Sequence, residues 1–143
     1  MRILSNENNI CRILSDDNGI DAVERRFREV TGIDADLSVF PSEKGIRQIT
    51  ESDDIDEYGF VTTPLDIVDR MVSAMLDDYD GGIILDLCCG CGQFAVRTMR
   101  ALHNAGKLDP SFTRETLVLA ELNPESIAKA LYVFDGDCNI MMG

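Results

Sequence analysis

Apolar residues in the second half of the chain alternate between short runs and helical stripes. Residues 83–87 and 116–121 are short, nearly continuous apolar runs, as expected for strands covered on both faces. Each is followed by residues with an apolar position every third or fourth place, from 92 to 103 and from 123 onward. Residues 138–142 begin a third run. Strand, helix, strand, helix predicts an α/β fold with parallel strands, flanking helices and right-handed crossovers, a partial Rossmann-like sheet.

Capping residues indicate where the helices begin. Thr63 and Pro64 suit the N-cap and first helical position, and Asp66 suits the positive end of the helix dipole. Asn123 and Pro124 begin the last helix in the same way. The helix after Pro64 is expected to bury a stripe formed by Val68, Met71, Val72, Met75 and Leu76.

The first fifty residues carry weaker signals. Residues 21–30 predict a helix with Val23, Phe27 and Val30 on one face, and residues 37–40 predict a short strand. The acidic run 51–57 suits an exposed linker, and residues 104–115 suit a loop. We therefore expect an N-terminal helical or irregular segment, residues 1–50, followed by an α/β domain, residues 51–143.

Two carboxylates follow the predicted strands. Asp86 ends the first strand, Glu121 ends the second, and Gly90 and Gly92 lie in the turn after Asp86. Ligands of open parallel sheets bind beyond the carboxyl ends of the strands, and a carboxylate there can accept hydrogen bonds from ribose hydroxyls. Glycines let a ligand approach the backbone closely. The pattern predicts a nucleoside site at this edge of the sheet.

Residues 90–95 also satisfy the dinucleotide pattern G-x-G-x-x-G/A, so NAD is an alternative ligand. Asp86 would repel a pyrophosphate in the glycine turn and would attract a ligand with sulfonium and ammonium groups. Glu121 also lies farther beyond the glycine turn than the acidic residue of the NAD pattern, which follows the glycines by roughly 20 residues. Both observations favour S-adenosylmethionine. A tight turn with a buried aspartate and no ligand is a third reading.

The cysteines suggest packing rather than chemistry. Cys88 and Cys91 form a C-x-x-C, with Cys89 between them. A zinc site needs about four ligands, and the distant candidates form no second pair, so no metal is expected. A redox pair at a helix N-terminus stays open as an alternative. The distant candidate ligands are Cys11, Cys138 and His103.

Charge limits the partners of the chain. Its 143 residues include 13 basic and 26 acidic residues, a formal charge of −13. Duplex DNA is bound largely through Lys and Arg, so contact with DNA would require a partner or another segment. No apolar run approaches the roughly 20 residues of a membrane span, and no signal peptide begins the chain. Five cysteines, an odd number, suit a reducing compartment, so we expect a cytoplasmic protein.

Three segments resemble the cofactor-binding part of N6-adenine-specific DNA methyltransferases of restriction–modification systems. YGFVTTPLDIVDRM, residues 58–71, resembles the family's G-x-x-x-T-P segment and the helix that follows it. ILDLCCGCGQF, residues 84–94, resembles D-P-x-C-G-S-G-x-F, and ELNPESIA, residues 121–128, resembles the acidic motif E-x-N-P. The three segments occur in the family's order, and the stretch from Tyr58 to Phe134 that contains them resembles the family's cofactor-binding part.

The resemblance implies a binding site for S-adenosylmethionine (AdoMet) and a role for each matching residue. Thr62 and Thr63 would meet the methionine carboxylate, Glu121 would bind the ribose hydroxyls, and Leu122 would lie against the adenine ring. The residues implied to line the methionine part are Asp86, Cys88, Gly90 and Gly92, with Phe94 packing nearby. Leu87 and Cys91 replace the family's usual proline and serine, and neither replacement excludes binding.

No catalytic residue can be assigned, because the family's later N-P-P-Y-type segment has no match in this sequence. The chain ends one residue short of an aspartate expected after the third strand, which suggests a truncation, a piece of a split gene or an excised segment. Catalysis would then need a missing or partner segment, and a homodimer or a second methyltransferase or restriction subunit is possible. The alternatives are a non-catalytic acidic regulatory module with the same fold and an NAD-binding oxidoreductase fragment.

Overall fold

The structure is a computed structural model, and it describes residues 2–4, 19–33, 36–40 and 63–143. Helices and strands alternate in the larger range, as the apolar pattern predicts. The strands are β1 (Arg2–Leu4), β2 (Ile84–Asp86), β3 (Leu117–Glu121) and β4 (Ile140–Met142). The helices are α1 (Gly19–Thr31), α2 (Leu65–Asp77), α3 (Gln93–Asn104) and α4 (Pro124–Val133), and a single wide helical turn covers Phe112–Thr116.

The four strands form one sheet in the order β1-β4-β3-β2. Strands β2, β3 and β4 are parallel, and β1 pairs with β4 in the antiparallel direction. The predicted α/β class, with parallel strands and flanking helices, is confirmed. The sequence pattern did not indicate β1, because a strand of three residues is too short to show periodicity.

Strand β2 is shorter and more exposed than predicted. The run 83–87 was expected to be covered on both faces, but the strand covers Ile84–Asp86 and Leu85 is 52% exposed. The burial prediction was wrong because β2 ends the sheet and, among the described residues, pairs with β3 alone. In contrast, β3 lies between two strands and buries Leu117, Leu119 and Ala120.

The caps of α2 and α4 differ. Helix α2 begins at Leu65, and its N-cap is Pro64, whose extended ψ of 141° excludes it from the helix. The prediction of Thr63 as N-cap was therefore wrong by one residue. In α4 the prediction is confirmed, because the Asn123 side chain accepts a hydrogen bond from the backbone N–H of Glu125 at 2.9 Å.

The buried face of α2 includes an aspartate. Val68 and Val72 are buried as predicted, but Met71 and Met75 are 54% and 39% exposed. Asp69 is buried instead. The prediction for the two methionines was wrong because Asp69 forms an ion pair with an arginine of α3. The face of α2 that carries Asp69 therefore packs against α3, and the two methionines lie on the exposed side.

That arginine, Arg97, has no exposed surface and joins three parts of the chain. Its Nε and Nη2 atoms donate to the two carboxylate oxygens of Asp69 at 2.7 and 2.9 Å. Its guanidinium also donates to the backbone carbonyls of Leu37 and Val39 and lies 5.3 Å from the centre of the Phe40 ring. The strand predicted at residues 37–40 is a turn, because these carbonyls bind Arg97 instead of a neighbouring strand.

Helix α1 belongs to the same core. Val23 and Phe27 are buried as predicted, in one cluster with Val96 and Met99 of α3. On its polar side Glu24 accepts a hydrogen bond from Arg100 Nε at 3.0 Å. The helix begins at Gly19, two residues earlier than predicted. The predicted domain boundary after residue 50 and the predicted linker 51–57 lie outside the described residues.

The predicted loop 104–115 is correct from Ala105 to Ser111, after which the wide turn leads into β3. The Asn139 amide closes that turn by donating to the carbonyls of Thr113, Arg114 and Leu117. None of the helices in the described part of the chain is long and apolar enough to cross a bilayer.

Candidate functional site

The glycine turn, residues 89–93, carries the chain from β2 into α3. The Cys89 N–H donates to the Ala120 carbonyl of β3 at 3.0 Å, and the Gly92 N–H donates to the Cys89 carbonyl at 2.8 Å. Gly90 and Gly92 have φ angles of +55° and +93°, a region that glycine adopts at little cost. The turn therefore needs glycine at both positions, as the sequence suggested.

Glu121 joins the ends of the two neighbouring strands. Its Oε2 accepts the Gly90 N–H at 2.8 Å, across the gap between β3 and the glycine turn. Its Oε1 accepts the N–H groups of Leu122 and Asn123 at 2.8 and 3.1 Å. Glu121 therefore lies beside the glycine turn, where the sequence placed it, and three backbone donors hold its carboxylate.

Asp86 faces the same turn, and one of its oxygens has no partner. Its Oδ1 accepts the Cys88 N–H at 3.1 Å. Its Oδ2 is buried and has no hydrogen-bond partner among the described residues. Burial raises the pKa of Asp86 above 3.8, the Cys88 N–H lowers it, and the negative charge of Glu121 raises it further. The site thus holds two nearby carboxylates, one of them incompletely satisfied.

This environment makes ionised Asp86 unfavourable for the fold. Because its pKa is raised in the folded state, the native protein binds more protons than the unfolded chain as pH rises from about 3.8 through the folded pKa. The Asp86 contribution to stability is therefore lost across that window. We expect Asp86→Asn to unfold at the same or higher urea concentration than the wild type at pH 7. Any gain in stability over the wild type should be smaller at pH 3, because Asp86 of the folded wild type is then protonated and uncharged. Urea denaturation at both pH values measures the difference.

The Thr-Pro segment also reaches this end of the sheet. The Gln93 side-chain amide, buried at the start of α3, donates to the Thr63 carbonyl. Thr63 therefore lies beside the N-terminus of α3, and Thr62 lies outside the described residues. Sequence reasoning missed Gln93, although its place at the first position of the helix was a signal. Phe94 is half-buried, and Leu122 is 59% exposed.

The three clustered cysteines differ in their surroundings. Cys89 is buried in the core, Cys91 is half-buried and Cys88 is exposed. Burial raises the pKa of Cys89 and of Cys91, although the Lys129 ammonium opposes the rise at Cys91. Reactive thiols have lowered pKa values, so this environment does not favour the redox alternative. Cys89 has the packing role that the sequence predicted.

The described residues hold no group of three or more side chains that could bind a metal ion. Comparisons with protein-family models, with curated proteins and with solved structures find no match to this chain. Two carboxylates favour a cation and hydroxyl donors, and the adjacent N-terminus of α3 favours a carboxylate.

Proposed function

We propose that this chain is the AdoMet-binding portion of a DNA adenine-N6 methyltransferase, and that its sheet is part of a Rossmann-like methyltransferase fold. The carrying observation is the buried Asp86 Oδ2, which has no hydrogen-bond partner among the described residues. A buried carboxylate oxygen is costly unless a donor or a cation meets it. The ammonium and sulfonium groups of AdoMet would supply that partner.

The other implied residues suit the remaining parts of the ligand. Glu121, on the neighbouring strand end, would accept the ribose hydroxyls. Leu122 exposes an apolar side chain beside it, which suits the adenine ring. The N-terminus of α3, with Thr62 and Thr63, would bind the methionine carboxylate. Cys88, Gly90, Gly92 and Phe94 would line the methionine part.

Methyl transfer to DNA would require groups from elsewhere. The formal charge of −13 opposes contact with a phosphate backbone, and the sequence contains no N-P-P-Y-type segment. A partner or another segment would therefore hold the target adenine and bind DNA. The role of this chain would be to hold the methyl donor. We expect the protein to work in the cytoplasm, because its odd number of cysteines suits a reducing compartment.

Isothermal titration with AdoMet tests this proposal. The wild type should bind, and Asp86→Asn should bind at least about tenfold more weakly, a loss of about 1.4 kcal/mol, because it removes the charge but keeps the shape. Asp80→Asn is the matched control, because Asp80 is an exposed acid. This variant should bind AdoMet as tightly as the wild type. Affinity should also fall as the pH approaches the raised pKa of Asp86, because protonation removes its charge.

Absence of heat with millimolar AdoMet and folded protein would refute the proposal. Equal binding by Asp86→Asn and the wild type would refute the role of that carboxylate. The same titration with NAD tests the oxidoreductase alternative. Our proposal expects no NAD binding, because both carboxylates should repel the NAD pyrophosphate, whereas the alternative expects binding. The regulatory alternative predicts no response to either ligand.

A further inference from the structure

Strand β2 leaves one edge of the sheet open among the described residues. It is last in the order β1-β4-β3-β2 and pairs with β3 on one side. The backbone groups on its other side therefore lie outside the ladder of the described sheet. Unpaired strand edges are templates for pairing with another chain, and proteins usually protect them with charged residues, proline or a bulge.

The side chains around this edge are aliphatic instead. Leu85 lies in β2, and Ile83 and Leu87 are the residues immediately before and after the strand. They are 52%, 64% and 65% exposed, respectively. We call these three exposed aliphatic residues the β2 face. An edge that combines unpaired backbone with an aliphatic face is suited to binding an added strand.

Charge distinguishes between possible occupants. Asp77, Asp78 and Asp80, all exposed, lie in the segment that leads into β2. A second copy would bring the same acids and a formal charge of −13 to the interface. Like charges placed across an interface oppose association, whereas opposite charges favour it.

We propose that the β2 face and the open edge of β2 bind an extended segment of a basic partner polypeptide. The segment adds a strand beside β2, places apolar side chains on Ile83, Leu85 and Leu87, and places Lys or Arg near the acids at 77–80. The proposal does not depend on cofactor binding. A chain that ignores AdoMet could still bind such a partner, so the two ideas fail separately.

A synthetic peptide of about 10 residues that alternates valine and lysine, the length of a long strand, is a suitable probe. We expect it to bind in NMR titrations, to shift the amide signals of residues 83–87, and to weaken as salt is added. Leu85→Lys should weaken binding at least about tenfold. Met71→Lys is the matched control, because Met71 is equally exposed but lies on α2. It should bind like the wild type.

Three outcomes would overturn the proposal. The first is equal binding of a valine–glutamate peptide, which would show that charge does not select the partner. The second is a wild-type dimer that Leu85→Lys dissociates in sedimentation, which would make a second copy the occupant. The third is no binding by a folded wild type at millimolar peptide, as expected if the chain's own residues cover β2. Circular dichroism of Leu85→Lys checks that the variant is folded.

Discussion

Replacing Asp69 with alanine is expected to lower the free energy of unfolding by about 3–5 kcal/mol, because the change leaves the Arg97 guanidinium buried without its carboxylate. Arg97 has no exposed surface, and both oxygens of Asp69 accept its hydrogen bonds. Glu24 lies 4.0 Å from Arg97 but already binds Arg100, so it compensates little. Urea denaturation at pH 7 measures the loss.

The exposed pair Lys129–Glu125 is the control for this prediction. Its atoms lie 3.0 Å apart, one helical turn apart on α4, and the Glu125 side chain is 75% exposed. Glu125→Gln should cost no more than about 0.5 kcal/mol, because water screens such pairs. Similar losses for Asp69→Ala and Glu125→Gln would show that Arg97 is not held as described. The expected result would be accompanied by a loss of α2–α3 contacts, which NMR can detect.

Replacing Gly92 with alanine is expected to destabilise the protein by about 2–5 kcal/mol through two separate effects. Its φ of +93° is strained for any residue with a Cβ, at about 1–2 kcal/mol. The new Cβ would also lie 2.7 Å from Cε2 of the fully buried Phe134, and such overpacking costs about 1–3 kcal/mol. Thermal and urea melts measure the combined loss.

Gly106 separates the two effects. Its φ is +70°, but a Cβ there would meet no other described residue within 4 Å, its two chain neighbours apart. Gly106→Ala should therefore cost about 1–2 kcal/mol, the backbone effect alone. If Gly92→Ala cost no more than Gly106→Ala, the contact with Phe134 would not be tight. We expect Phe134→Leu to restore part of the stability that Gly92→Ala loses, because it removes the ring that the new Cβ would contact. No restoration would also show that this contact is not tight.

Local patterns predicted the elements whose signals lie within a few residues. The Asn123 cap of α4 and the apolar run at β3 are both local signals, and the structure confirms them. The candidate site followed from one topological rule: parallel strands bring Asp86 and Glu121 to the same sheet edge. Gly90 was predicted to lie in the turn after Asp86, and its φ of +55° is a backbone conformation that favours glycine.

Long-range partners explain what the sequence did not predict. Arg97 is buried only because Asp69 and the carbonyls of Leu37 and Val39 surround it, and no periodicity reveals partners so far away in the chain. The exposure of Leu85 depends on which strand is last in the sheet, which its own apolar run does not encode. The unsatisfied Oδ2 of Asp86 likewise depends on three-dimensional packing.

The three backbone hydrogen bonds that the Glu121 carboxylate accepts should affect how fast a nucleoside binds. A carboxylate offers about four acceptor positions, and the Gly90, Leu122 and Asn123 N–H groups fill three. The two neighbouring hydroxyls of a ribose donate two hydrogen bonds, but only one acceptor position of Glu121 is free. The second bond can form only after one of the three amide hydrogen bonds breaks. Association should then proceed in two steps, and stopped-flow rates should level off at high nucleoside concentration instead of rising in proportion to it.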